Sequence, residues 1–327
     1  MLEIGGLSIL GLGLPGLLRT DACLAASRQQ AKSCIFIYQY GGLSQLDSWD
    51  MKPNGPEAIR GPYKPIATRV PGFQVGELMP RLASLADQYC VIRSMSHSVP
   101  VHDVANRMLL AGQPLPALDA PSFGSIVTKV RPSDAAIPSY VWLQKFGGGA
   151  MPPESTYLTG GTLGPAYSPL LLGSGHDDNP ATPGYRIKAF DAVGDLTIDR
   201  LQTRRTLARD LSTGQSELES NPAVRRFDQY QERAAELVAG SRARQAMDLE
   251  RESPETRERY GLNPLGQNLL LARRLIEAGT RLVSVVAWTG MKPSEKFMSV
   301  ETWDMHGNAG ISIFADGWNG LGFALPR

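Results

Sequence analysis

The chain has 327 residues, 42% of them hydrophobic, enough to bury a large core in one or two domains. Lys and Arg number 33 against 32 Asp and Glu, a formal net charge of +1, and no basic stripe is interleaved with aromatics, so a nucleic-acid role is disfavoured. The three cysteines, Cys23, Cys34 and Cys90, hold no CxxC spacing, which argues against a zinc ribbon or a thioredoxin-like motif.

Met1 to about Ser27 reads as an export leader. Ile4 to Leu18 is apolar and glycine-rich, about the length of a signal h-region and too short to span a bilayer. Cys23-Leu24-Ala25 offers a small-x-small cleavage site. The start carries Glu3 and no Lys or Arg, so the leader is degenerate or begins upstream. The expected location is the periplasm or the exterior, with no stable membrane span. Gly11, Gly13 and Gly16 spell GxGxxG, but no strand precedes them and Pro15 interrupts them, so no dinucleotide site is expected.

The next stretch, CIFIYQYGGLSQLDSWD from Cys34 to Asp50, organises the rest. Ile35 to Tyr38 reads as a buried strand. Gly41-Gly42 breaks it, because glycine reaches backbone angles that other residues avoid. Ser44, Asp47, Ser48 and Asp50 follow at once. Polar groups just beyond the carboxyl end of a buried strand sit where open α/β sheets place ligand sites. A plain turn and capped helix is the alternative. Arg60 to Val75 reads as extended and irregular. Met79 to Gln88 has helical spacing, and Cys90-Val91-Ile92 is a second short strand, so a parallel βαβ unit is expected. Cys34 and Cys90 both lie in apolar runs and are expected as buried thiols.

In SMSHSVPVHDVANRMLLAG, His97 and His102 flank Pro100, and they are two of only four histidines. Asp103 can cap a helix that runs to Ala111, with Gly112 just past its end and Val104, Met108 and Ala111 as its inner stripe. His102 then lies at a helix N-terminus, where free N–H groups and the dipole favour an anion. A capping or packing histidine is the other reading. Pro121 to Val130 is a further helix and Ser139 to Leu143 a strand. Gln144 to Tyr185 is glycine- and proline-rich. Its His176-Asp177-Asp178 is either a solvated turn or a polar ligand group. Asp195 to Thr213 and Pro222 to Glu250 are helical and rich in Arg and Glu, a salt-bridged insertion over the sheet. Leu265, Leu269, Ala272 and Ile276 mark a helix started by Asn263-Pro264 and stopped by Gly279. Leu282 to Ala287 is a third buried strand. Beyond it, Asp304 and His306 stand two apart in a glycine-bearing loop, an oxygen and a nitrogen donor suited to a divalent metal.

Three stretches together, GGLSQLDSWDMKPN, HDVANRMLLAGQPLP, and LLLARRLIEAGTRLVSV with TWDMHGN, resemble the bacterial family of domain of unknown function 1501, common in planctomycetes. The resemblance runs from the leader to about Asn308. That family is similar to the alkaline phosphatase and sulfatase superfamily. The resemblance therefore implies a doubly wound, mostly parallel α/β sheet over residues 28–310, with the helical insertion at about 195–250. It also implies a divalent metal (Zn, Ca or Mg) at the strand ends, and a nucleophile opening a helix that a glycine closes. Asp304 and His306 match the family's WDxHG signature and are the expected metal ligands. His102 opens such a helix and Gly112 closes it, so His102 is the expected catalytic residue. A histidine there departs from the usual Ser, Thr or Cys, so it could be nucleophile, general acid/base or ligand. The superfamily's first strand ends in a metal-binding Asp. Here Gln39-Tyr40-Gly41-Gly42 stands in its place, and Asp47 or Asp50 would substitute; Asp47 is the expected third ligand. The family's GEFGRTP and GRDHW segments do not follow WDMHG, and residues 311–327 diverge, so an incomplete C-terminus is expected, and the chain is either a hydrolase or an inactive truncated copy of one.

The function expected is metal-dependent hydrolysis of a sulfate or phosphate ester on a small molecule or glycan. The alternative is a non-catalytic exported protein that binds a glycan or a protein partner. No GxSxG elbow appears, which disfavours a serine hydrolase.

Overall fold

The computed structural model describes residues 31–114, 116–133, 137–143, 158–173, 179–187, 241–287 and 303, with scattered positions between 200 and 210. Within them the apolar runs form a four-stranded sheet of β1 (Cys34–Tyr38), β4 (Tyr140–Leu143), β5 (Leu170–Leu172) and β6 (Leu282–Val286). The order across it is β1-β6-β4-β5, and every pairing is parallel. Cys34 stands opposite Leu282 and Tyr38 opposite Val286; on its other edge β6 places Leu282 against Tyr140. All carboxyl ends therefore lie along one rim. A separate hairpin pairs β2 (Pro65–Ala67) with β3 (Gln74–Gly76).

Alternate residues of the central strands feed different cores, as the period of two requires. Val141, Leu143, Val283 and Val285 join Leu270, Leu271 and Leu275 on one face. Tyr140, Trp142, Leu282 and Val286 join Tyr38, Leu110 and Leu158 on the other. With helices on both faces, the architecture is α/β. Each fully buried leucine contributes about 1.5–3 kcal/mol relative to exposure.

The continuous helices among the described residues are, in chain order, α1 (Glu57–Arg60), α2 (Pro80–Ser84), α3 (His102–Ala111), α4 (Phe123–Val130), α5 (Ser241–Met247), α6 (Pro254–Tyr260) and α7 (Pro264–Ala278). The long helix α7 starts where Asn263-Pro264 predicted: the Asn263 side chain accepts from Gly266 N at 2.9 Å, and Gly279 ends it with φ of 114°. No helix among the described residues is long and apolar enough to cross a membrane.

Several expectations are corrected. Residues 90–92 form no strand, and Cys90 is exposed. Three-residue strands such as β5 exist here because a neighbouring strand pairs with them, and 90–92 pair with no described strand. β1 is a strand but not a buried one. Among the described strands it is the sheet's edge, and Cys34, Ile35 and Ile37 are exposed while Tyr38 is covered. The hairpin and β5 were not expected; both are three-residue strands in proline- or glycine-rich sequence. The helix expected over Met79–Gln88 is α2 followed by a 3₁₀ turn, Ala86–Gln88. Where the insertion is described it is helical, at positions between 200 and 210 and in α5. Ala246 and Met247 of α5 are buried in the core beside α7.

Just past this region, the described residues hold an ion-pair cluster centred on Glu252. Glu252 meets Arg273 at 2.8 Å and Arg274 at 2.5 Å. Arg274 also donates to the Ala246 carbonyl at 2.9 Å, so the cluster ties α5 to α7. Burial pushes the Glu252 carboxyl up, but the hydrogen bonds from Arg273 and Arg274 outweigh it and hold the group below its usual 4.5. A depressed carboxyl adds stability that is present above the unfolded value and is lost as pH falls through the folded one. Glu252→Gln is therefore expected to lower stability at neutral pH and to flatten its decline below about pH 4.5. Denaturant midpoints measured from pH 3 to 7 check this; parallel wild-type and variant curves would contradict it.

Candidate functional site at the carboxyl rim of the sheet

β1 delivers its chain to the rim at Tyr38. Gly41 and Gly42 then turn it with φ of 89° and 82°, angles that only glycine adopts at little cost. A 3₁₀ turn, Gln45–Asp47, follows. Asp47 is 5% exposed. Its Oδ2 accepts from Ser44 Oγ at 2.6 Å, and Ser48 Oγ donates to the Ser44 carbonyl at 2.6 Å. Its Oδ1 is buried without a hydrogen-bond partner. Two glycines close on this residue. A Cβ on Gly61 would lie 2.2 Å from Asp47 Oδ1, and a Cβ on Gly76 would lie 2.4 Å from the Asp47 carbonyl oxygen. Tyr63 is a neighbour: burial raises its hydroxyl first, and the carboxylates of Asp47 and Glu77 add to the effect.

Asp50 is drawn outward, with Lys52 at 2.6 Å and Arg93 at 3.7 Å. The Lys52 hydrogen bond, more than the charges of Lys52 and Arg93, holds its carboxyl below the usual range. Of the two carboxylates weighed for the missing strand-end ligand, Asp47 is the enclosed one.

The helix α3 brings His102. It begins at His102 itself, with Val101 at the N-cap and no side-chain cap there, so Asp103 is not the cap residue expected. The Val101 side chain is apolar and cannot accept a bond from the first turn, as a Ser, Thr, Asp or Asn cap would. Gly112 closes the helix in the left-handed conformation, φ 70°, as expected. The His102 ring lies against Tyr40, 5.2 Å between centroids, and Tyr40 is buried just past the end of β1. His97, by contrast, is exposed and accepts from Val99 N at 3.3 Å, which makes it a turn residue.

The inner face of α3 is not the expected one. Val104 is exposed, whereas Asn106 and Leu110 are buried. With His102 these residues follow a spacing of four, one face of the helix. Asn106 was not read as inward because a polar residue inside a helix normally marks the wet side. Here Tyr38 at the end of β1 donates its hydroxyl to Asn106 Oδ1, which compensates part of the burial. Burial, with the neighbouring Tyr40 adding, raises the Tyr38 hydroxyl and keeps it a donor.

The third stretch is anchored by Trp303. Its indole is buried, and its Nε1 donates to the carbonyl of Ala287, the residue after β6. Leu43 from the loop after β1 packs on the same pair. Asp304 and His306 lie outside the described residues, as does His176-Asp177-Asp178. So do the leader and residues 311–327. Among the described residues no group of three or more His, Cys, Asp and Glu side chains forms a metal-holding cluster. Asp47 nevertheless fits an oxygen ligand, since a carboxylate oxygen shut from water with no donor is one that a cation would satisfy.

Chemically, the chain just past β1 carries an enclosed carboxylate, Asp47, and a ring, Tyr40, on which the imidazole at the α3 N-terminus packs, while Trp303 is bonded to the residue after the neighbouring strand β6. These features define the class: an α/β protein with a parallel sheet and a polar rim at its carboxyl ends. The chain belongs to the family described as protein of unknown function (DUF1501), whose model matches residues 31–313. No curated protein and no solved structure gives a significant match.

Proposed function

We propose that this chain is a metal-dependent hydrolase of sulfate or phosphate esters, with a fold of the alkaline phosphatase and sulfatase kind. The observation that supports this most is at the rim. His102 packs on Tyr40 after β1, and Trp303 is bonded to Ala287 after the neighbouring β6. In open α/β sheets the ligand crevice lies outside the carboxyl strand ends.

In this reading Asp47, Asp304 and His306 hold a divalent ion. When bound, the ion would polarise an ester oxygen and lower the pKa of a bound water. The residues of the chain do the rest. The α3 N-terminus favours the anionic group of the substrate. The His102 imidazole either attacks the sulfur or phosphorus as the ester S–O or P–O bond breaks and the alcohol leaves, with water then releasing the group, or takes the proton of a water that makes the same displacement. Tyr40 fixes the imidazole plane through their ring contact. The substrate would be a small-molecule or glycan ester, met outside the cytoplasm after export.

The experiment is metal analysis of the purified chain together with an aryl sulfate and aryl phosphate assay under added Zn, Ca or Mg. A bound divalent ion and metal-dependent turnover, both lost in Asp304→Ala, are the expected result. A metal-free chain, silent on all substrates, sinks the proposal.

A second reading, a non-catalytic exported protein that binds a glycan or protein partner, is favoured by one feature. Ile92, Met95 and Val101 are strongly exposed in the stretch that leads into α3. Apolar side chains gathered in one segment suit a contact surface. Silence in the assay with tight glycan binding would favour this reading.

A further inference from the structure

Asn106 is 3% exposed, yet only one end of its carboxamide is used. Tyr38 donates to Oδ1, while Nδ2 is buried with no hydrogen-bond partner. A buried donor left unpaired is rare in a native structure and asks for a partner. Helix geometry says where that partner comes from. Side chains on a helix lean toward its N-terminus, so a residue at position 106 covers the turn that begins at 102. The Asn106 amide thus lies on the side of the His102 imidazole and the α3 first turn, whose N-cap residue, Val101, supplies no side-chain acceptor. The helix dipole favours an anion at that end.

We infer that Asn106 is a binding residue of the His102 site, its amide N–H donating to one oxygen of a tetrahedral oxyanion, the sulfuryl or phosphoryl group of the ligand. Tyr38 sets the orientation: because its hydroxyl holds Oδ1, the amide nitrogen is left facing the ligand. This rests on the site proposed above but not on its chemistry, since a binding protein for such anions would need the same donor.

The test is calorimetric titration of the full chain with inorganic sulfate and, separately, inorganic phosphate. Asn106→Asp keeps an acceptor for Tyr38 and replaces the donor with a repelling carboxylate. The double variant Tyr38→Phe/Asn106→Leu removes both partners together, so no orphaned group remains to unfold the site. Wild-type binding of at least one anion, weakened about tenfold or more in both variants, is expected for the loss of a hydrogen bond to a charged group. The stronger of the two anions identifies the ester class. Unchanged affinity in either folded variant, or no binding of either anion by the wild type, overturns the inference. The two proposals fail separately. Anion binding that needs Asn106, in a chain with no hydrolysis, supports this inference and sinks the hydrolase reading. Hydrolysis that both variants perform with wild-type KM and kcat overturns this inference alone.

Discussion

Replacing His102 with alanine is expected to lower ester hydrolysis by about 10²–10⁴-fold, the range for loss of a positioned proton-transfer group. At about 1.36 kcal/mol per tenfold, that corresponds to roughly 2.7–5.4 kcal/mol of barrier. A purely structural histidine would behave differently. One of its contacts is the ring pair with Tyr40, and such pairs contribute about 0.5–1.5 kcal/mol to stability. The variant should therefore melt within a few degrees of the wild type while turnover collapses. His102→Gln sharpens the distinction, since it keeps polar reach without a titrating imidazole. If it retains turnover, His102 only positions the site. A large melting shift with proportional activity would mark a packing role instead.

Gly76→Ala is expected to be among the most destabilising single-methyl changes in the chain. The added Cβ would fall 2.4 Å from the Asp47 carbonyl oxygen and 3.3 Å from its carbonyl carbon. Both are backbone atoms, held by the bond from Gly76 N to the Ser48 carbonyl at 2.8 Å, so neither can swing aside. Overpacking of this kind costs about 1–3 kcal/mol. The change should also displace Asp47, the enclosed carboxylate of the loop after β1, so metal retention should fall with stability. Chemical denaturation and metal content of the same sample check both. Wild-type values for both would show that the loop yields and that the clamp on Asp47 is not a constraint.

The sequence was legible where local signals were strong and redundant. β1 with its Gly41-Gly42 break, β4, β6 and the doubly signalled α7 all fall within a residue or so of their expected limits. The C-terminal end of α3 was legible through Gly112. Illegible features depend on partners distant in sequence. The turned face of α3 rests on Tyr38, 68 positions away from Asn106. The clamp on Asp47 rests on Gly61 and Gly76, which read locally as ordinary loop glycines. β5 and the hairpin gain their strand state from pairing, because three residues carry too little periodicity. The exposure of Cys34 follows from the sheet order, which no local pattern in Ile35 to Tyr38 encodes.

The proposed hydrolase requires the helix that starts at His102 and the segment that follows Trp303 to serve one site. A double-mutant cycle on kcat/KM measures this directly, with His102→Ala, Asp304→Ala and the pair compared under saturating metal. Residues that act as a unit are strongly non-additive. The predicted result is a double variant no slower than the worse single one, within about threefold (under 1 kcal/mol of coupling error). Effects that multiply across the pair would show two independent sites and contradict the account.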